Sequence, residues 1–259
     1  MWNILATDSC QAASSLAIID SKGGRFESHL MTGRTHSQQY LPLVAEGLQQ
    51  MGLSAADLDL FVVITGPGSY TGARIAVAST QAFAYATGRL CLGVSALEAL
   101  AHPFRGFEDC LLAVFVDARN HRAYSCAYAG TEAQSDESAA DLAELAASYA
   151  AIYRAGNYTS LLCISPEPFP EARAALLEAL PELGSSEIAA IDRPLRARDA
   201  LEIALERLEA AESLDLSRPY DRAQDRELLL KVPGVVRPEQ LDVLYLSQPP
   251  VLRQSQTVK

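Results

Sequence analysis

The 259-residue sequence has no CxxC pair, no HxxxH or HxxE pair, no GxxxxGK[ST] loop and no GxSxG elbow. Each absence removes a class of chemistry. Five scattered cysteines (Cys10, Cys91, Cys110, Cys126, Cys163), several of them inside apolar runs, fit buried reduced thiols rather than a zinc cluster or a disulfide framework. His29, His36, His102 and His121 lack a partner at metal-ligating spacing. No lysine follows Gly72, which excludes a Walker-type phosphate loop. Ser69 has neither the hydrolase elbow nor a His/Asp order to activate it. No apolar run reaches membrane-spanning length, and MWNILATDS lacks the basic region and long apolar core of a secretory signal. The expectation is a cytoplasmic protein without a membrane segment. Basic runs are missing too. With 21 Lys and Arg against 32 Asp and Glu the formal charge is −11, so tight unaided RNA binding is not expected, although binding beside a basic partner is allowed.

What is present is a long apolar alternation. Hydrophobic residues make up 49% and charged ones 20%, enough for one large or two small cores. Asn3 to Thr7, Ser15 to Ile19 and Arg25 to Met31 read as strands, with a turn at Lys22-Gly23-Gly24. THSQQYLPLVAEGLQQMG reads as a helix ended by Gly52, with a capping box at Thr35 and Gln38 and a bend or later start at Pro42. Phe61 to Ile64 is a buried strand, Thr71 to Thr87 a helix stopped by Gly88, and Leu90 to Val94 a strand. Ser95 to Glu98 forms a second capping box. After a break at Pro103 to Gly106 the order resumes with strands Leu111 to Val116 and Ala123 to Tyr128, then helix Ala140 to Tyr153. Strand Ser160 to Ile164, helix Glu171 to Leu180, strand Glu187 to Ile191 and helix Arg198 to Ala211 follow. The two halves share an order of elements, which predicts two related α/β domains. From Leu214 the chain is Pro-rich and irregular, with a short strand at Val243 to Leu246 and a loose tail from Gln254 to Lys259.

Two features carry candidate chemistry. TGPGSYTGARIA places Gly66, Gly68, Ser69, Thr71, Gly72 and Arg74 between a strand and a helix. Its GxGxxxG spacing departs from a dinucleotide fingerprint, and no acid follows about 20 residues later. The loop presents backbone N–H groups at a helix N-terminus, with Arg74 in the first turn. That arrangement can hold an anion, hold a partner's carboxylate, or turn a sharp corner. Asp8, at the end of the first strand, suits either a metal-bound phosphate or a turn that caps its own backbone. Asp117 and Arg119 close a later strand, where Arg119 can fix a carboxylate or line a cleft between the domains, or the pair can form a locally hydrogen-bonded turn, the reading favoured here. The second feature is the helix ARIAVASTQAFAYATG, whose one charged side chain is Arg74. A helix apolar on most faces is either central or paired with another chain.

Together, ILATDSCQAASSLAIID, HSQQYLPLVAEGL, TGPGSYTGARIAVASTQAFAYATG, LCLGVSALEALA and FVDARNHRAYSCAY resemble, in order and spacing, the bacterial TsaB (YeaZ) family across roughly the first half of the chain. The resemblance implies the two-domain actin/Hsp70/sugar-kinase-like (ASKHA) α/β fold, each domain a mixed sheet flanked by helices. The expected divisions are residues 1–104, 105–213 and an irregular extension, 214–259. It implies a noncatalytic subunit that binds a TsaD-type catalytic subunit for threonylcarbamoylation of adenosine in tRNAs reading ANN codons. A TsaE-type ATPase would share the complex, and tRNA would be met only through it. TsaD proteins carry HxxxH where this chain has Ala96 and Leu100, so no metal site is expected here, and no cofactor bound by this subunit alone. ATP and a metal ion are implied for the partners. The implied partner surface lies on the first-domain helices: Leu41, Val44, Leu48 and Met51 on one, Ile75, Ala78, Ala82, Phe83 and Ala86 on the other. A homodimer would use the same surface twice. DARNHRAY departs from the family's DARMGEVY-like strand, and the YLR-like ending is only echoed in LYLSQPPVLRQ. The rival reading is a free-standing ATP-dependent small-molecule kinase or ATPase of the same fold, built on Asp8 and the glycine loop. For a peptidase the sequence offers neither a metal cluster nor a nucleophile–base pair.

Overall fold

Three short strands open the chain as an antiparallel meander: β1 (Ile4–Asp8), β2 (Ala13–Ile19) and β3 (Arg25–Met31). The computed structural model describes residues 2–31, 36–184, 186–211 and 213–246, so Thr35 of the first capping box and the 254–259 tail lie outside the described residues. Gly23 takes φ +86° in the β2–β3 turn, which Asp20 N–H closes onto Gly24 O at 2.9 Å. Helix α1 (His36–Gln50) runs through Pro42. Pro42 and Gln38 are both exposed, so the carbonyl deprived of its intrahelical donor faces water. Then come β4 (Leu60–Gly66), α2 (Tyr70–Thr87), β5 (Leu90–Ser95) and α3 (Ala96–Ala101). Gly88 stops α2 in the left-handed conformation at φ 67°.

The second half repeats the plan: β6 (Cys110–Arg119), β7 (Arg122–Ala129), β8 (Glu132–Ala133), β9 (Ser138–Asp141), α4 (Leu142–Ala155), β10 (Ser160–Ser165), α5 (Pro170–Ala179) and β11 (Ile188–Asp192). Helices α6 (Ala197–Glu209) and α7 (Arg222–Leu229) and the short strand β12 (Val235–Val236) follow, and a 3-10 turn at Pro238–Gln240 leads into residues 241–246. The first sheet is ordered β12-β5-β4-β1-β2-β3, and the second β11-β10-β6-β7-β8, with β9 also on β7. In each sheet an antiparallel pair (β1–β2, β6–β7) adjoins a parallel run (β1–β4–β5, β6–β10–β11). The duplicated element order is therefore a duplicated topology.

Strand alternation sends side chains into three cores. Ile4, Ala6, Val62 and Ile64 of the first sheet meet α3, α6 and the inner face of the second, with Leu112 and Val114. Leu5, Leu16, Phe61 and Val63 face α1 and α2. Leu111, Ala113, Phe115 and Cys163 face α4 and α5. Helices α1 and α2 thus form an outer layer with one side toward solvent.

Several sequence expectations change. Ala140 lies in β9, because residues 138–141 pair with β7 before the helix begins. At α3, Ser95 Oγ accepts from Leu97 N–H at 3.1 Å, but Glu98 does not return to complete a box. Its carboxylate accepts from Arg207 at 2.6 and 2.8 Å instead, the stronger charged pairing. Val243 to Leu246 is not a strand: β12 takes the β5 edge, and residues 241–246 cross the end of β4, where Leu244 N–H donates to Thr65 O at 2.9 Å. The stretch after 214 holds α7 and β12. Helix α6, although late in the chain, packs on β1, β2 and β4, and its Ala197 N–H donates to Ser15 Oγ at 2.8 Å.

Candidate functional site

The glycine loop sits on the β1–β2 turn. A methyl on Gly72 would lie 1.8 Å from Ser9 O, and one on Gly68 2.3 Å from Cys10 O. Both glycines admit the chain's own backbone. Ser69 N–H donates to Cys10 O at 2.6 Å, and Ser69 Oγ caps α2 by accepting from Gly72 N–H at 3.2 Å. Ser9 O and Cys10 O thus fill the side on which each glycine would carry a side chain, so these two glycines are required by close backbone packing. Gly66, at φ +111°, faces Leu244 O. The segment forms a packed corner, with Thr71 and Arg74 exposed beside it. Replacing Gly72 with alanine forces two backbone segments apart. The expected cost is about 3 kcal/mol, read as a lower midpoint in urea unfolding with unchanged slope, and an unaltered midpoint contradicts this packing.

Asp8 lies under that corner, 1% exposed. Its Oδ1 accepts from Cys10 N–H at 2.8 Å, while Oδ2 has no hydrogen-bond partner among the described residues. Burial pushes the carboxyl up to about 7 against the hydrogen bonds from Cys10 and Ser9, and the buried Asp199 adds to the rise. Asp199 itself is held by Arg193 at 2.6 and 2.8 Å. Desolvation, with the neighbouring Asp8 charge, also drives the Cys10 thiol well above its ordinary range, which disfavours the thiolate. Ala96 and Leu100, at the positions of the implied HxxxH, are both 0% exposed within the central core. Neither side chain carries a donor atom, so a metal held through this pair does not fit the chain. Among the described residues no group of three His, Cys, Asp or Glu side chains is placed to hold a metal, and no helix is long and apolar enough to cross a membrane.

A cleft of about 950 Å3 separates the glycine corner from the second sheet. Its far wall carries the β6–β7 turn, where Arg119 N–H donates to Asp117 Oδ1 at 2.7 Å. Arg119, Asn120 and His121 all take φ near +60°. Three consecutive left-handed residues without a glycine cost on the order of 1 kcal/mol each. Sequence reasoning gave both the local Asp117–Arg119 pairing and a place for Arg119 in the cleft, but not the left-handed run of residues 119–121.

The interface residues expected on the outer helices divide sharply. Val44 and Leu48 are 2% and 8% exposed and belong to the core under α1, so they are not available to a partner. Their helical spacing marked the face that α1 turns to its own sheet. Leu41 is 52% exposed, and Met51 is half-buried. On α2, Ala73, Ala76, Val77, Thr80 and Ala84 point inward, while Ala78, Ala82 and Ala86 form an exposed line at four-residue spacing. Ile75 and Phe83 flank it half-buried, with Phe83 stacked on Phe61 at 6.1 Å. Tyr85, 80% exposed, joins this face. It was missed although it lies three and seven residues from Ala82 and Ala78.

Known proteins match this arrangement. The TsaD family, described as tRNA N6-adenosine threonylcarbamoyltransferase, matches residues 28–158. The chain is 32% identical over 125 residues to the tRNA threonylcarbamoyladenosine biosynthesis protein TsaB of Bacillus subtilis, covering 48% of this chain and 54% of that protein. It is 32% identical over 127 residues to the TsaB of Escherichia coli, with the same shares. The chain spans about half the length of the curated relatives it matches. The solved structure of YeaZ from Pseudomonas aeruginosa covers 95% of this chain and 100% of its own, with a TM-score of 0.68 at 22% identity. The duplicated mixed sheets with their helical layers are the ASKHA fold. The chain belongs to the family described as TsaD, tRNA N6-adenosine threonylcarbamoyltransferase, and over about half its length it is similar to the TsaB proteins.

Proposed function

We propose that this chain is a noncatalytic docking subunit that binds and activates a TsaD-type catalytic subunit for threonylcarbamoylation of adenosine in tRNAs reading ANN codons. The observation that carries the reading is the outward line Ala78, Ala82 and Ala86 on a charge-poor, outer-layer helix. Small residues let a second helix approach closely, and an apolar exposed face is otherwise an aggregation liability. Leu41 of α1 extends the face. Two further observations support the absence of independent chemistry: Gly68 and Gly72 are explained by close packing on the Ser9 and Cys10 carbonyls, and positions 96 and 100 are apolar core.

In this reading ATP and a metal ion belong to the partners and none is bound by this subunit alone. A TsaE-type ATPase joins the complex, tRNA is met through the assembly, and the work is cytoplasmic. Alone, the same face pairs two copies of the chain. Co-elution with the catalytic subunit tests the proposal: a stable heteromeric peak is expected. Separate elution, combined with ATP turnover by the isolated chain, favours the small-molecule kinase or ATPase alternative.

A further inference from the structure

The C-terminal segment does something the helices alone do not. It leaves β12, runs along α2 and across the end of β4, and is fixed at three heights. Gln81 Nε2 donates to Pro238 O at 3.1 Å and to Leu241 O at 2.8 Å, and Leu244 N–H donates to Thr65 O. Finally Arg74 Nε donates to Tyr245 Oη at 2.7 Å. The Arg74 guanidinium lies 4.0 Å above the Tyr70 ring, the Tyr245 ring is 5.8 Å away, and the two rings contact at 5.6 Å. Tyr70 and Tyr245 remain 46% and 41% exposed. Arg74 is thus held by two tyrosines, Tyr70 of its own helix and Tyr245 of the C-terminal segment.

Arg74 also lacks a counter-charge. Among the described residues it forms no ion pair, whereas Arg89, Arg105, Arg154, Arg193, Arg207 and Arg218 each face a carboxylate. In an acidic chain with 32 Asp and Glu, the one charged side chain of α2 has no ion-pair partner among the described residues and is held by two tyrosines instead. Restricting a guanidinium beforehand lowers the ordering cost of binding, and its planar fork matches a carboxylate. Tyrosine and arginine are also the residues in which binding energy concentrates. Arg74 lies one helical turn from Ala78, on the same exposed side of α2.

We propose that the Tyr70–Arg74–Tyr245 cluster is the polar anchor of the docking face, that the C-terminal segment 241–246 is its third element, and that its occupant is an Asp or Glu carboxylate of the catalytic subunit. This rests on the docking reading above. Tyr245 acts as a positioning residue, because it aims Arg74 rather than reaching the partner's charge itself.

Affinity for the purified catalytic subunit, measured by calorimetry at two salt concentrations, tests it with Arg74→Gln, Tyr245→Ala, their double variant and Ala82→Arg, each checked for an unchanged melting profile. Arg74→Gln and Tyr245→Ala are each expected to weaken binding about tenfold, as for loss of one charge-assisted contact. The double variant should be no weaker than Arg74→Gln, and the salt dependence should flatten wherever Arg74 is missing or unaligned. Tyr245→Phe, which keeps the ring and loses the hydroxyl, should fall between parent and Tyr245→Ala. Parent-like affinity in both single variants, with Ala82→Arg still disruptive, overturns the anchor while leaving the docking face standing. Parent-like affinity in all of them overturns both. Unchanged subunit affinity with weakened tRNA binding assigns Arg74 to a phosphate and overturns the carboxylate.

Discussion

At pH 8 the Asp8→Asn chain is expected to melt well above the parent, and near pH 4 the two should melt together. In the fold the Asp8 carboxyl titrates at about 7, against 3.8 for the free side chain, chiefly because it is buried. An acid whose folded value is raised contributes its full stability below the unfolded value and loses it as pH rises through the folded one. At pH 8 the folded chain therefore carries a buried charge costing on the order of 4 kcal/mol relative to pH 4. Asparagine keeps the Oδ1 acceptor for Cys10 N–H and never ionises. The advantage should open across this window and approach about 10 °C in Tm at pH 8. Because other titrating groups are common to both chains, the difference isolates Asp8. A variant less stable than the parent at pH 8 contradicts the assignment, since it means the ionised carboxylate has favourable partners.

The second large effect concerns association. Ala82→Arg places a guanidinium in the middle of the exposed alanine line without touching the chain's own core. Closing a helix–helix contact over it buries a long side chain and an unpaired charge. The expected loss is on the order of 4 kcal/mol, about a thousandfold in affinity for the catalytic subunit. Any homodimer of the isolated chain should dissociate in parallel, read by sedimentation, because the same face serves both. Ile75 is a poorer probe, since it is half-buried against the core and its replacement confounds folding with docking. Unchanged affinity with Ala82→Arg removes the face from consideration.

Much of the fold was legible because local and global signals agree. The Gly23 turn and the apolar runs at Ile4, Phe61 and Leu90 each fix their own element, and the repeated order of strands and helices already carried the two-sheet plan. Short pieces stabilised from afar were not legible. β12 exists only as a partner of β5, β9 only as a partner of β7, and α6 returns to the first sheet by packing that no local pattern records. The site was legible in its parts and not in its orientation. The glycine loop read as an anion site, a carboxylate site or a sharp corner, and only the fold shows Gly68 and Gly72 packed against Ser9 and Cys10. In α1 the helical stripe Val44 and Leu48 marked an apolar face, which the chain keeps for itself. In α2 apolar residues lie on nearly every side, so only packing separates Ala84, inside, from Ala82, outside. The Arg74–Tyr245 contact spans 171 residues and leaves no trace in sequence spacing.

The central claim is that this fold serves as a docking surface and does not carry the reactive apparatus. The direct measurement is threonylcarbamoyl incorporation into tRNA in a reconstituted system, with the TsaD-type and TsaE-type subunits, ATP, magnesium and the threonylcarbamoyl donor supplied, and this chain added or withheld. Full activity with the chain present, little without it, and none with the chain as the sole protein is the predicted pattern. Incorporation catalysed by this chain alone, or undiminished activity in its absence, contradicts the account.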